Sequence, residues 1–275
     1  MRIRLVGLAV LVILWGAAVA QATEPTYYVA LGDSLAIGLQ ASPSGDVPTN
    51  QGYADDLFAQ YSTQIPGLTL SKLGCSGETS SSMIEGGICN YPEGSQLNAA
   101  VAFLQAHKVA FVTLDIGAND VDQCFTTSGI DSSCVQNGLK TVASNLPWIV
   151  RELRQAAGPN TPIVAMNYYD PFLAAWTIAS GGKTVAVDSL AAATEFNLIL
   201  ESIYLAYRIP VADVARAFKI YNFTPVPGED VPVNVFLTLA WTWMGAPAPV
   251  GPDIHPNAAG YAAIAGAFAS KIAVP

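Results

Sequence analysis

Histidine and positive charge are both scarce in this chain. It has two histidines among 275 residues, and 12 lysine and arginine residues against 21 aspartate and glutamate residues, for a formal net charge of −9. Nucleic-acid binding requires a surface rich in positive charge, and so does electrostatic docking on anionic lipid. The composition therefore disfavours both partners. Two histidines are also few for a catalytic metal centre, so we expect neither a metal nor a cofactor.

Long apolar runs are confined to the N-terminus. Met1 to Arg4 is basic, Leu5 to Ala17 is almost wholly apolar, and Ala18-Val19-Ala20 has the form of a cleavage site. This pattern is typical of a secretory signal peptide, so we expect residues 1–20 to be removed and the protein to be secreted, without stable membrane insertion. The alternative is an uncleaved anchor, which needs roughly 20 apolar residues. Without a linker or a repeat, residues 21–275 are expected to form a single domain.

Cysteine is limited to four residues in two close pairs, Cys75 with Cys89 and Cys124 with Cys134. A zinc site would need tighter cysteine or histidine spacing. Four cysteines allow three disulfide connectivities, and secretion favours disulfides over free thiols. Pairing between sequence neighbours is the expected arrangement, with each bond closing a short loop.

Apolar runs typical of strands alternate with segments of helical periodicity along the chain. The clearest strand, 109–116, is apolar almost throughout, as are strands of a sheet that is covered on both faces. Pro147 is expected to kink or split the helix that contains it. This alternation predicts an α/β fold with a mostly parallel sheet, in which ligands bind at the carboxyl ends of the strands. The predicted strands are 26–31, 68–73, 109–116, 162–168 and 209–212, and the predicted helices are 51–61, 96–106, 134–157, 185–207 and 258–272.

One serine and one histidine form the most informative pair of residues. The first predicted strand runs into Gly32-Asp33-Ser34-Leu35, a turn that would present the Ser34 hydroxyl, and His255 lies in Asp253-Ile254-His255-Pro256-Asn257. A serine becomes a nucleophile when a general base accepts its proton, and histidine is the usual base at neutral pH. The other histidine, His107, stands at the end of a predicted helix and has no such motif. The structural alternatives are a turn or capping role for Ser34 and a helix-entry role for His255.

Two further glycine-containing blocks lie between this serine and this histidine. Gly74-Cys75-Ser76-Gly77 follows one predicted strand, and Gly117-Ala118-Asn119-Asp120 follows the next. The backbone N–H of Gly77 and the side-chain amide of Asn119 are donors of the kind that stabilises an oxyanion. Because both blocks lie past strand ends, we expect Gly77 and Asn119 to converge with Ser34 at one edge of the sheet.

These blocks, in this order from Gly32 to about Tyr261, resemble the SGNH (GDSL-type) hydrolase family. The resemblance implies a three-layer α/β/α sandwich around a mostly parallel sheet, and the activity of an esterase or lipase. It also implies that Ser34 is the nucleophile and His255 the base. The implied oxyanion hole consists of the backbone N–H groups of Ser34 and Gly77 and the side-chain amide of Asn119. An α/β-hydrolase would instead need a Gly-x-Ser-x-Gly elbow, and the nearest stretch, 74–78, ends in glutamate.

The acidic member of the expected catalytic triad departs from the family pattern. The family places an aspartate three residues before the histidine, where this chain has Pro252. Asp253 lies only two residues before His255. Two acceptors therefore remain open for the imidazole, the Asp253 carboxylate and the Pro252 backbone carbonyl.

An apolar, aromatic-rich stretch precedes the histidine block. Val231 to Gly251 includes Trp241 and Trp243, and we expect it to wall an acyl-binding site, with core packing as the alternative. The sequence thus predicts a secreted serine esterase or lipase that acts on small-molecule or lipid carboxylic esters. The alternatives are a carbohydrate acetyl-esterase of the same fold and a non-catalytic binding module.

Overall fold

The fold is built on a five-stranded parallel sheet. A computed structural model describes residues 25–126 and 129–274, so the predicted signal peptide, residues 1–20, lies outside the described residues. Each strand of the sheet is parallel to its neighbours. The strands are β1 (Thr26–Gly32), β2 (Leu68–Lys72), β3 (Lys108–Asp115), β4 (Ile163–Met166) and β5 (Val211–Ala212). Their spatial order is β2-β1-β3-β4-β5.

The strand order determines where a site can form. β1 pairs with β2 on one side and with β3 on the other, so the direction of winding reverses between β1 and β3. In doubly wound sheets of this order, ligands bind in the crevice at the reversal, outside the carboxyl ends of the strands. Ser34 follows β1 and Asn119 follows β3, so the two residues flank this crevice.

Helices cover the sheet and complete the three-layer α/β/α sandwich that the resemblance implies. The helices are α1 (Tyr53–Ser62), α2 (Ser80–Glu85), α3 (Gln96–Ala106), α4 (Ser132–Ala157), α5 (Gly182–Ala206), α6 (Val214–Ala217), α7 (Val233–Trp241) and α8 (Ala258–Ala269). α1 packs on α8, while α4 packs between α3 and α5. α4 shows why these segments are helical: its buried apolar residues recur every three or four positions, which creates one apolar face.

Some elements differ from the prediction, for identifiable reasons. α4 continues through Pro147 as one helix, so the expected split does not occur. β4 ends at Met166 because the backbone N–H of Tyr168 donates to the Asn197 side chain instead of to a strand. Sequence periodicity does not predict α2 or α6, which are six and four residues long, or α7, which is apolar on nearly every side.

Two disulfides join sequence neighbours, Cys75 to Cys89 and Cys124 to Cys134. The second bond ties the segment that follows β3 to the first turn of α4. Within the described ranges, no helix is long and apolar enough to cross a membrane.

Candidate active site

Gly32 ends β1 in a backbone conformation that side chains rarely adopt. Its φ is +135°, and a Cβ atom built there would lie 1.8 Å from the backbone carbonyl oxygen of Asp115 on β3. The backbone N–H of Asp33 donates to the Asp115 carboxylate at 3.0 Å, and the N–H of Leu35 donates to Asp33 Oδ1 at 2.9 Å. Asp33 and Asp115 therefore shape the turn that presents Ser34.

Ser34, His255 and Asp253 form a continuous hydrogen-bonded chain. Ser34 Oγ lies 3.0 Å from His255 Nε2, and His255 Nδ1 lies 2.8 Å from Asp253 Oδ1. The same carboxylate oxygen accepts the backbone N–H of His255 at 2.9 Å, a local turn that lets an aspartate two residues away reach the ring. Of the two acceptors that the sequence leaves open, the structure therefore places Asp253, and not the Pro252 carbonyl, at Nδ1. Ser34 and His255 are both buried.

The charges around His255 favour its protonated form. Burial lowers the pKa of His255, but the hydrogen bond and charge of Asp253, together with smaller contributions from the charges of Asp46 and Asp33, outweigh it. The pKa of His255 therefore lies above its ordinary value. Burial raises the pKa of Asp253, and the hydrogen bond and charge of His255 reverse this, so that this pKa lies below its ordinary value. An ionised Asp253 stabilises the imidazolium form of His255.

Asn119 and Gly77 are linked through the backbone of Glu78. The Asn119 side-chain amide donates to the Glu78 carbonyl at 3.0 Å, which leaves the second amide N–H for another acceptor. Gly77 lies in a turn that is closed by a 3.1 Å hydrogen bond from the Glu78 N–H to the Cys75 carbonyl. Its φ is +80°, while a Cβ atom there would meet nothing within 4 Å. The turn conformation, and not a close backbone approach, is therefore the reason for glycine at this position.

Asp115 and Asp120 hold the backbone around the site. Asp115 also accepts the Tyr53 hydroxyl, and Asp120 accepts both the backbone N–H and the hydroxyl of Ser80 at 2.7 Å. Burial, followed by the charge of Asp33, raises the pKa of Asp115, and burial raises the pKa of Asp120. These contacts give both residues a structural role.

Gln96 is a supporting residue that the sequence does not reveal. Its buried side chain accepts the Gly32 N–H at 2.7 Å, and its amide donates to the Gly32 carbonyl at 2.8 Å and to the Glu78 carboxylate at 2.9 Å. These bonds join the turn before Ser34 to the block that contains Gly77. A glutamine at the start of a helix carries no signal of this role, because the bonds depend on how α3 packs against the end of β1.

A cavity that is partly open to solvent lies against Ser34 and His255. Asn119 also lines it, whereas Gly77 does not. Phe125 and Phe172 stack in its wall with ring centroids 4.1 Å apart. Much of the wall is apolar or aromatic and includes Val121, Phe125, Phe172, Ala192, Ala193 and Phe196.

The predicted acyl wall, Val231 to Gly251, does not line this cavity, so that expectation is wrong. Trp241 packs edge-on against the buried Phe218, with ring centroids 5.2 Å apart. The Trp243 backbone pairs with the histidine loop, since its N–H donates to the His255 carbonyl at 3.0 Å and its carbonyl accepts the Asp253 N–H at 3.2 Å. The stretch therefore supports the loop that carries His255, and other segments provide the wall.

Among the residues that the structure describes, one group has the composition and proximity to hold a metal ion. It consists of Asp46, Asp253 and His255, whose ligand atoms lie within 4.8 Å of one another. Both ring nitrogens of His255 are engaged, Nδ1 with Asp253 and Nε2 with Ser34. We therefore interpret the group as a histidine held between carboxylates.

Ser34 and His255 both lie within the part of the chain that matches one protein family. A sequence profile of the GDSL-like Lipase/Acylhydrolase family matches residues 30–263. The chain belongs to this family. Membership in the GDSL-like family agrees with the order of the motifs and makes the protein a hydrolase. No curated protein sequence matches the chain significantly.

The fold of this GDSL-family chain is similar to that of solved hydrolase structures. A phospholipase A1 from Streptomyces albidoflavus NA297 matches at 20% identity and a TM-score of 0.56, over 90% of this chain and 100% of that chain. An extracellular lipase from Streptomyces rimosus matches at 18% identity and a TM-score of 0.57, with the same coverage. A variant of an acetyl-xylooligosaccharide esterase from Geobacillus matches at 16% identity and a TM-score of 0.51, over 90% and 94% of the two chains. At these identities the similarity establishes the fold.

Proposed function

We propose that this GDSL-family protein hydrolyses carboxylic esters, with Ser34 as nucleophile, His255 as general base and acid, and Asp253 as the residue that orients His255. The observation that carries the proposal is the hydrogen-bonded chain from Ser34 Oγ through the imidazole to the Asp253 carboxylate. This arrangement has the three roles of a serine hydrolase triad.

The reaction follows from the positions of these groups. His255 Nε2 accepts the Ser34 proton as Ser34 Oγ attacks the ester carbonyl carbon, and the tetrahedral oxyanion then collapses to an acyl-enzyme. The protonated imidazole gives its proton to the departing alcohol. A water molecule then attacks the acyl-enzyme, and the same imidazole accepts and returns the proton. The free acid leaves and Ser34 is restored.

We further propose that three donors stabilise the oxyanion: the backbone N–H groups of Ser34 and Gly77 and the remaining amide N–H of Asn119. The fixed link between Asn119 and the Glu78 carbonyl supports this role, because a preorganised donor needs no reorientation during the reaction. Removing one such donor costs about 3 kcal/mol of transition-state stabilisation in serine hydrolases.

The cavity beside Ser34 favours an acyl chain as its occupant. Its wall is largely apolar and carries the Phe125–Phe172 stack. An apolar wall gains free energy from each methylene group that it removes from water, about 0.8 kcal/mol per CH₂. We therefore assign short or medium acyl esters, including lipid esters, as the substrate class.

We also propose that the protein acts outside the cell after removal of residues 1–20, with residues 21–275 as one domain. The two disulfides support this location, because such bonds persist in oxidising compartments.

The proposed activity is tested by hydrolysis of a p-nitrophenyl ester series from acetate to palmitate. Ser34→Ala should reduce turnover to near background, and Asp253→Asn should reduce kcat by about 10⁴-fold, because the wrong histidine tautomer is then stabilised. Ser202→Ala, at an exposed position on α5, is the matched control and should keep wild-type turnover. Wild-type turnover in Ser34→Ala would refute the serine mechanism.

A further inference from the structure

A second carboxylate stands beside the imidazole of His255. Asp46 Oδ2 lies 3.8 Å from His255 Nδ1, on the same ring nitrogen that Asp253 contacts at 2.8 Å. The Asp46 side chain is 40% exposed and that of Asp253 is 18% exposed. The two carboxylates therefore approach one nitrogen from different environments, one open to solvent and one largely enclosed.

The position of Asp46 is set by its own loop and not by its contact with the histidine. Asp46 immediately precedes Val47–Pro48, which pairs antiparallel with Leu39–Gln40. The Tyr261 hydroxyl donates to the Leu39 carbonyl at 2.6 Å, which fastens this pair to α8. The loop also closes on itself, with the Ser42 hydroxyl donating to the Gly45 carbonyl at 2.5 Å. These bonds fix the backbone of the loop that carries Asp46, independently of the charge of the ring.

Other acidic groups also act on the imidazole, and their positions differ from that of Asp46. Asp33 lies on the Ser34 side, where its carboxylate accepts the Leu35 N–H and the Tyr168 hydroxyl. Asp122 lines the cavity, where the charge of His255 lowers its pKa but burial outweighs this effect. Asp253 and Asp46 are the two that face Nδ1.

We propose that Asp46 is a positioning residue of the proposed ester hydrolysis, whose carboxylate, 3.8 Å from Nδ1, acts through its charge and stabilises the imidazolium that forms during proton transfer. The proposal rests on the proposed function of Ser34 and His255. In this chain Asp253 is displaced by one residue from the family pattern, and the charge of Asp46, from a distant loop, adds to its effect on His255.

The sign of the effect separates this role from a merely structural one. Removing the Asp46 charge lowers the pKa of His255, so the acid limb of kcat/KM moves to lower pH, because the neutral base persists there. The plateau of kcat/KM falls, because the imidazolium of the transition state loses a stabilising charge. The ratio of wild-type to Asp46→Asn activity is therefore largest on the plateau and smallest at acid pH. Damage to the fold would lower activity at every pH by the same factor.

The test compares Asp46→Asn with Asp230→Asn, which removes an equal charge from an exposed position. We expect Asp46→Asn to lower plateau kcat/KM by about two- to fivefold, the range for a partly exposed charge pair. The loss should shrink at high salt. Asp46→Glu should restore most of it. In an Asp253→Ala background, loss of Asp46 should cost more than it does in the wild type, because it is then the remaining carboxylate at Nδ1.

A second readout does not require turnover. The chain has two histidines, so NMR titration follows the pKa of His255 directly, with a His107→Asn variant providing the assignment. A lower His255 pKa in Asp46→Asn than in Asp230→Asn supports the proposal. Equal His255 titrations in the two variants, together with superimposable pH–rate profiles, would overturn it. Absence of ester hydrolysis by the wild type would instead refute the proposed function, and the NMR comparison would still decide whether Asp46 acts on His255.

Discussion

Replacing Ala192 with leucine should shorten the acyl chain that the cavity accepts. Ala192 lies on α5 and lines the cavity next to Ser34, in a wall that also contains Phe125 and Phe172. A leucine adds three carbon atoms to this wall and occupies space that about three methylene groups of a substrate would otherwise fill. Because α5 is a regular helix of 25 residues, the added carbons should protrude into the cavity without displacing the helix.

The magnitude follows from apolar burial. Each methylene buried from water contributes about 0.8 kcal/mol, so kcat/KM of the wild type should rise about fourfold per CH₂ while the chain is entering the cavity. Loss of three methylene sites amounts to about 2.4 kcal/mol, which corresponds to a factor of about 50. The ratio of kcat/KM for octanoate to that for acetate should therefore fall by up to about 50-fold, while hydrolysis of acetate stays within about twofold of the wild type.

The assay is kcat/KM over the p-nitrophenyl ester series, with Ala191→Leu as the matched control. Ala191 is the preceding residue on α5, but it is exposed and does not line the cavity. We expect Ala191→Leu to keep the wild-type chain-length profile. An equal loss on all esters in Ala192→Leu, or the same profile change in both variants, would show that the cavity is not the acyl site.

Two further predictions concern the stability of the site. Gly32→Ala combines a positive φ with a Cβ atom 1.8 Å from a backbone oxygen, so it should lower the free energy of unfolding by more than the ~1–3 kcal/mol of backbone strain alone. The control is Gly45→Ala, where φ is +107° and a Cβ atom would meet nothing within 4 Å, so denaturant unfolding should show a smaller loss. Equal losses in the two variants would contradict the steric argument. Burial, and then the charges of Asp33 and Asp170, raises the pKa of Asp122 to about 8, so the folded state retains a proton that the unfolded state releases near pH 4. The resulting stabilisation is complete below about pH 4 and is lost as the pH rises to about 8. The free energy of unfolding of Asp122→Asn should therefore rise relative to that of the wild type between pH 4 and pH 9. A difference between the two free energies that stays constant over this range would refute the assignment.

The fold class could be predicted from the chain because its signals are local. Apolar runs alternate with amphipathic segments, and this alternation is typical of parallel β/α/β units whatever their detailed packing. The family match and the five-stranded parallel sheet confirm both the resemblance and the fold class. Residue periodicity does not predict α2, because it is too short, or α7, because it lacks a polar face.

The site divides in the same way. The sequence shows the order of the blocks that contain Ser34, Gly77, Asn119 and His255. Because Ser34, Gly77 and Asn119 each follow a predicted strand, the sequence also predicts that these three residues converge. The sequence does not identify the group that accepts the hydrogen bond of His255 Nδ1, because the choice between a carboxylate and a backbone carbonyl depends on loop conformation. The roles of these residues in catalysis stay predictions until the variants are measured.

The fold class, the family and the residues that are candidates for chemistry can be predicted from the sequence, since each depends on local pattern or on the order of motifs. Three other features depend on packing: α5 and the Phe125 segment wall the cavity, Gln96 binds Gly32, and Asp46 lies near His255. In each case the contact joins segments that are far apart in the chain. Such contacts depend on how helices and loops pack against the sheet, and no local pattern of residue types records that packing.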